Sequence, residues 1–332
     1  MVSSHKVKQI SKGLLTYIPG WQKISRKEGG GGSIARYCYA VWLRHRILTF
    51  DSGMIVQPSV VAEFGPGDSI GCGLAAIITG SSTYIAFDIV KFTNLSSNIA
   101  VFDELVLLFK NKAAIPDDLE FPDYFRSTYG ENILQDMYPR LENYDFPNYI
   151  YSDEWLAKYL NEERINTIRN ILIKNSDSDI NNTIQIRYVA PWKSSDLQQK
   201  GLVDLMFTQA VMEHIDDLED AYYTMWLWLK KGGMIYHEID FKSHATSDTW
   251  DGHWKYSDLV WKIIRGRRPY YINRKMCSYH LNLIIKNGFE IIKSKRQIRI
   301  PIIKRTSLAK SLSNAIEEDL NTSSVHIIAK KY

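Results

Sequence analysis

The run Val60-Val61-Ala62-Glu63-Phe64-Gly65-Pro66-Gly67-Asp68-Ser69-Ile70-Gly71 is followed, 25 residues after Glu63, by Asp88 at the end of a second apolar stretch. A strand that ends in an acidic residue, turns on two glycines and enters a helix offers main-chain N–H groups beside a carboxylate. A second strand ending in Asp supplies an acceptor for a ribose diol. The two ends together make a nucleoside-binding pattern. A dinucleotide turn would read Gly-x-Gly-x-x-Gly, but Ile70 stands where the third glycine belongs and Gly71 comes one residue late.

A second group of residues suits proton transfer. His214 follows one apolar run, His237-Glu238-Ile239-Asp240 closes another, and His244, Asp251 and His253 lie just downstream. Imidazole titrates near neutrality and a carboxylate can orient it, so His237 or His244, held by Asp240, is the expected base, with His214 as the third candidate. Three have a structural alternative: His214 as a cap on the acidic helix that follows, Asp240 as a loop anchor accepting from main-chain N–H groups, and His237 as a core histidine. His237, Asp240 and His244 also have ligand chemistry for a divalent ion, but their spacing matches no metal motif, and no bound metal is expected.

These groups need a sheet that gathers strand ends along one edge. Strands are expected at Val60–Phe64, Thr83–Asp88, Thr183–Val189, Val203–Thr208 and Met234–Ile239, with a small-residue helix over Ser69–Thr79. Another helix opens on Asp216-Asp217-Leu218-Glu219-Asp220 and closes at Lys230-Lys231-Gly232-Gly233. Two further strands, Phe289–Ile298 and Ser324–Ala329, flank a polar helical stretch over Ser307–Leu320. The expected fold is α/β: a Rossmann-like, seven-stranded, mostly parallel sheet with helices on both faces.

Residues 1–54 read as a helical N-terminal cap, in which Gly29-Gly30-Gly31-Gly32 would be either a passive linker or a hinge, and 55–332 as the main domain. Within that domain 102–182 is an aromatic, helical insertion expected to form part of an acceptor site. It contains Phe121, Tyr124, Phe125, Tyr129, Tyr138, Tyr144, Phe146 and Tyr149, and a helix capped by Ser152 from Asp153 to about Lys174.

Composition narrows the class. With 332 residues and 45% hydrophobic content the chain can bury a full-size core. Three scattered cysteines, Cys38, Cys72 and Cys277, argue against a disulfide framework, and the basic N-terminus has no apolar stretch of membrane-spanning length; the expected compartment is cytoplasmic. The net charge is +4, with Lys262, Arg265, Arg267, Arg268, Arg274 and Lys275 clustered and Lys293, Lys295, Arg296, Arg299, Lys304 and Arg305 continuing the bias. A solvated face, a phosphate-bearing substrate and peripheral contact with an anionic membrane all fit it. Nucleic acid fits poorly, because the acidic content around 117–154 would repel its backbone.

The arrangement resembles the class I S-adenosylmethionine-dependent methyltransferases. The likeness is carried by Glu63-Phe64-Gly65-Pro66-Gly67, by Asp88, by Asp204 to His214, and by Trp228-Leu229-Lys230-Lys231-Gly232-Gly233-Met234, and it covers roughly residues 55 to 300. It implies S-adenosyl-L-methionine as cofactor. Glu63, Gly65, Pro66, Gly67 and Ser69 would line its methionine and ribose, Asp88 would accept both ribose hydroxyls, Ile89 would cover an adenine face, and Gln209 with Ala210 would lie under the sulfonium. Arg36 and Tyr37 would reach over the cofactor's carboxylate. The family's acid after the third strand is replaced here by Val189-Ala190-Pro191-Trp192. The function implied is methyl transfer, read as O-methylation of a sugar or cell-surface polysaccharide precursor. A small-metabolite or lipid-linked acceptor, and a non-catalytic cofactor-binding module, are the alternatives.

Overall fold

The computed structural model describes residues 4–20, 34–90, 93–117, 120, 140–181, 183–197, 200–268 and 270–332. The four-glycine run and Phe121, Tyr124, Phe125, Tyr129 and Tyr138 lie outside the described residues. Elements are numbered here in order among those described. They are α1 (Ser4–Leu15), α2 (Ala35–Asp51), β1 (Val60–Phe64), α3 (Gly71–Ile78), β2 (Thr83–Phe87), α4 (Leu95–Lys110), α5 (Asp153–Tyr159), α6 (Glu162–Lys174), β3 (Gln185–Val189) and β4 (Val203–Gln209). After these come α7 (Leu218–Trp228), β5 (Leu229–Asp240), α8 (Asp258–Arg265), α9 (Cys277–Lys286), β6 (Phe289–Ile298), α10 (Glu317–Asn321) and β7 (Thr322–Lys331).

The seven strands form one sheet in the order β3-β2-β1-β4-β5-β7-β6. The first five are parallel to one another, while β7 runs antiparallel to both β5 and β6. The expected Rossmann-like sheet is therefore present. Every residue of β1 is buried, as a central parallel strand covered on both faces must be. Its side chains alternate between two cores: Val61 joins residues of α2, α3, α4 and α6, whereas Val60, Ala62 and Phe64 join residues of α7 and α9.

Three expectations change. The helix from Asp153 to Lys174 is two helices, because the Asn161 side chain accepts from the Arg164 N–H and starts a new one. The helix α7 ends at Trp228, and the following Lys-Lys-Gly-Gly is a bulge inside β5 rather than a helix end: Val203 pairs with Leu229, but Leu205 already pairs with Met234. Lys230 reaches Asp204 at 2.7 Å there. The stretch Ser307–Leu320 holds only short 3-10 turns and the five-residue α10. Ser311 and Ser313 turn their hydroxyls to Asp258 and to the Lys310 carbonyl, local alternatives to helix that serine favours.

The described part of the 140–181 segment packs into the first core through Phe146, Tyr151, Leu156 and Ile168. Trp155 and Arg164 donate to the Thr79 and Ile77 carbonyls at the end of α3. At the other end of the chain order, α1 lies on α8. No helix among the described residues is long and apolar enough to cross a membrane.

Candidate functional site

In this strand order the chain reverses direction of growth between β1 and β4, and open α/β sheets hold ligands in the crevice at such a point, beyond the strands' carboxyl ends. The glycine turn leaves β1 there. Gly65 has φ +68°, and its N–H donates to the Phe87 carbonyl at 2.8 Å. A Cβ on it would come within 2.6 Å of a Val211 methyl, so both conformation and space demand glycine.

Glu63 is buried at the end of β1, and the Tyr84 hydroxyl donates to its Oε2 at 2.5 Å. Burial pushes its pKa up to about 8, against the pull of the Tyr84 hydrogen bond and with a further push from Asp88. Asp88 is also buried; its Oδ1 accepts from the Ile89 N–H at 2.7 Å and its Oδ2 from the Tyr188 hydroxyl at 3.2 Å. Burial raises this carboxyl too, while the N–H groups of Ile89, Val90 and Gly67 and the Tyr188 hydroxyl draw it back. The Gly65 N–H bond to Phe87 joins the elbow to the second strand's end, beside Asp88. Ile89 beside them is 37% exposed, an apolar plate at the rim.

Not every amide of the elbow is free. The Ile70 N–H donates to Asn98 Oδ1 and the Gly71 N–H to Ser69 Oγ, both at 3.1 Å, so Ser69 caps α3 from within the chain. Pro66 is buried. The Trp192 N–H donates to the Asp88 carbonyl, and the Trp192 ring stands edge-on to Phe64 at 5.1 Å.

Across the switch point, Gln209 and Ala210 end β4. Ala210 has φ +54°, a left-handed conformation that costs a residue with a Cβ about 1 kcal/mol or more. Gln209 shares a hydrogen bond with His45 Nε2 at 3.2 Å, and its own Nε2 is buried without a partner. Burial drives His45 down to about 3, so it is a neutral imidazole at physiological pH. Sequence reasoning passed over His45. The available signal was Arg44-His45-Arg46, three consecutive polar residues following the apolar, buried run Cys38–Leu43 of the same helix.

The histidine and acid group divides in two. On a strand, residues three apart face opposite sides, and His237 accordingly parts from Asp240. His237 shares a hydrogen bond with Thr208 at 2.9 Å and packs against Tyr222 on the α7 side, with burial lowering it to about 3. The expected orientation of His237 by Asp240 is not made. Asp240 instead pairs with Lys242 at 3.2 Å and with His244 at 3.1 Å. Burial alone would raise Asp240, but Lys242, His244 and the Lys242 N–H outweigh it and hold the group below the usual carboxylate range.

Beside this pair, Glu213 and His214 enter the same cluster. Glu213 is 3% exposed and both its carboxylate oxygens lack a hydrogen-bond partner. Burial first, then the Asp240 charge, pushes it well above the ordinary value; His214 is lowered by burial and by His244 to about 3. The His214 and His244 rings meet edge-on at 5.1 Å. The set His237, Asp240 and His244 weighed as metal ligands is not assembled; Glu213, His214 and His244 are.

Other expected residues have structural employment. Arg36 forks onto Glu120 through Nε and Nη2 and gives Nη1 to the Ala114 carbonyl, and Tyr37 packs on the first core. Asp251 accepts from the N–H groups of Ile302 and Ile303. Trp254 is fully buried and Trp250 packs across it at 5.6 Å. In the basic cluster, Arg265 pairs with Asp216 and Arg274 with Asp258.

No protein-family model and no curated protein matches the chain. Among solved structures it is similar to an S-adenosylmethionine-dependent methyltransferase from Mesorhizobium loti, at 11% identity over 88% of this chain and 98% of that one, with a TM-score of 0.40. It is similar to phosphoethanolamine N-methyltransferase 2 of Haemonchus contortus, in complex with S-adenosyl-L-methionine, at 12% identity over 93% and 59%, with a TM-score of 0.43. A third is a SAM-dependent methyltransferase from Methanosarcina mazei, at 10% identity over 83% and 93%, with a TM-score of 0.37. Likenesses of this size carry no functional argument. By its own strand order, the fold is Rossmann-like. In that Rossmann-like sheet the elbow, Asp88, Gln209 and the Glu213–His244 cluster all lie along the carboxyl ends of β1, β2, β4 and β5.

Proposed function

We propose that this chain is an S-adenosylmethionine-dependent methyltransferase acting on a hydroxyl of a polyhydroxylated acceptor, a sugar or polysaccharide precursor. The observation that carries the reading is the hydrogen bond from the Gly65 N–H to the Phe87 carbonyl, which sets the glycine elbow beside Asp88 and buried Glu63 at the switch point. Two carboxylates and a glycine-framed main chain fit a ribose diol and an amino-acid tail.

With the cofactor seated there, the sulfonium methyl would point toward Gln209 and the cluster beyond β4. The acceptor oxygen attacks the methyl carbon in line, the carbon–sulfur bond breaks with its electron pair going to sulfur, and S-adenosylhomocysteine leaves. The hydroxyl proton passes to His244, which Asp240 holds at 3.1 Å. Glu213, Glu238, Asp240 and Lys242, all buried near one another, supply the acceptors and the donor that a polyol would use. As on the sequence, the division into a cap (1–54) and a main domain whose 102–182 segment borders the acceptor site is part of this proposal.

Calorimetry with S-adenosylmethionine and S-adenosylhomocysteine, followed by mass spectrometry of glycans for a methyl ether gained in the presence of the protein, tests it. Micromolar binding with a new methyl ether is the expected result; no binding of either nucleoside refutes it.

A second reading, a lipid-linked acceptor at an anionic membrane, is favoured by one surface. Ile298, Ile300 and Ile302 are exposed, Ile300 at 87%, and lie among Lys295, Arg296, Arg299, Lys304 and Arg305. Apolar side chains set in basic ones suit a headgroup layer. Flotation with phosphatidylserine vesicles, lost at high salt, would support it.

A further inference from the structure

We infer that Glu213, His214 and His244 form a binding site for a single divalent transition-metal ion at the acceptor end of the crevice. Their ligand atoms all lie within 4.8 Å of one another. Two imidazoles and one carboxylate are a donor set suited to zinc, manganese, iron, cobalt or nickel and ill suited to calcium or magnesium, which prefer oxygen throughout. Closing on an ion with bonds of about 2.0–2.2 Å asks each side chain to move by roughly 1 Å, within reach of small torsional changes.

Two further observations point to a cation. Glu213 is 3% exposed, yet neither carboxylate oxygen has a partner, and His214 Nδ1 is likewise buried and unbonded. A buried acid with no partner on either oxygen is unfavourable in a low-dielectric interior, and a bound cation would satisfy both oxygens. Asp240 is placed as a metal-bound imidazole's usual carboxylate partner, 3.1 Å from His244 Nε2. The backbone holds His244 in place at φ +47°, next to Ala245 at φ +57°.

This inference rests on the methyl-transfer reading for what the ion does, though not for its binding. An ion held by three protein groups keeps open positions for an acceptor hydroxyl, whose pKa it would lower so that the proton leaves to solvent before attack. With the ion bound, His244 is its ligand, and this replaces the role of proton acceptor proposed for it above.

The test uses the full chain stripped with EDTA and titrated calorimetrically with ZnCl2, MnCl2 or CoCl2 alone. One equivalent of Zn2+ or Co2+ should bind, with visible absorption bands from the cobalt form, and binding should weaken about 10- to 100-fold or more in Glu213→Gln, His214→Ala and His244→Ala. Each variant's melting temperature in EDTA is compared with that of the stripped wild type. A folded variant that has lost the metal-induced rise supports the site. Should all three variants fail to fold, X-ray absorption on the zinc-loaded wild type decides, two imidazoles and oxygen supporting the site and any other ligand set overturning it. Failure of wild type to bind any of the ions, or binding untouched by all three substitutions, overturns the inference. S-adenosylhomocysteine titrated into the same EDTA-treated protein separates the two claims: nucleoside binding without metal binding removes the ion alone, and loss of nucleoside binding removes the methyl-transfer reading.

Discussion

The side-chain amide of Gln9 donates to the main-chain carbonyl of Ala245 at 2.8 Å, tying the first helix to a loop 236 positions away. His5 adds a contact of 3.1 Å to the same carbonyl and another of 3.1 Å to Asp248. The loop so held carries His244 and Ala245 in left-handed conformations, which they would leave if released. The N-terminal helix therefore positions the candidate His244–Asp240 pair without touching it. In Gln9→Ala, turnover should fall about 2- to 10-fold, the worth of one hydrogen bond, while nucleoside affinity stays within twofold. Unaltered kcat would show that the helix merely covers the loop.

Removal of the Asp88 carboxylate should act on binding alone. Asp88→Ala is expected to weaken S-adenosylhomocysteine by about 1.5–3 kcal/mol, roughly 10- to 150-fold, through two lost charge-assisted bonds. Calorimetry reads this directly, and an unchanged Kd would sink the ribose assignment.

Glu63 gives a pH signature. Its folded pKa, about 8, lies above the ordinary 4.5, so the folded state holds a proton that the unfolded chain releases. Its stabilising contribution is full below about pH 4.5 and is lost as pH rises through 8, with a slope of at most about 1.4 kcal/mol per pH unit. The melting temperature of the free protein should decline between pH 6 and 9, and Glu63→Gln should flatten that decline. If the ionised carboxylate receives the cofactor, affinity should climb over the same interval and level off above 8. An identical pH profile in wild type and Glu63→Gln would exclude both effects.

Gly65 tests the elbow's geometry. Gly65→Ala combines a positive φ with a methyl 2.6 Å from Val211, and should cost about 2–4 kcal/mol. Adding Val211→Ala should restore the steric part and leave the conformational part, which a denaturation series on the single and double variants would resolve. No recovery in the pair would mean that Val211 is not what crowds the site.

Strands and elbow were legible because each rests on a local pattern: unbroken apolar runs for β1 and β2, glycine where φ must be positive, a carboxylate at the strand end. The failures are non-local or a matter of parity. His45 meets Gln209 across 164 positions, and nothing near either announces the other. Glu213 carries no signal of its own in the sequence, since only the folded chain strips it of partners. The separation of His237 from Asp240 was readable in principle, because two residues three apart on a strand cannot share a face. Asn161 was a local signal too, an amide able to restart a helix, masked by the long acidic and apolar pattern around it.

The swelling at Lys230–Gly233 has a bearing on chemistry at the far end of its strand. Between their first two pairings β4 advances two residues while β5 advances five, and everything beyond inherits that offset. Adding or deleting a single residue there, with the swelling's size kept so that the downstream pairing shifts by one, would turn the strand's odd and even positions about. Tyr236 and Glu238 would be handed to the α7 side and His237 to the side of His45, so four inconspicuous residues at the floor of the sheet decide which titrating groups line its rim.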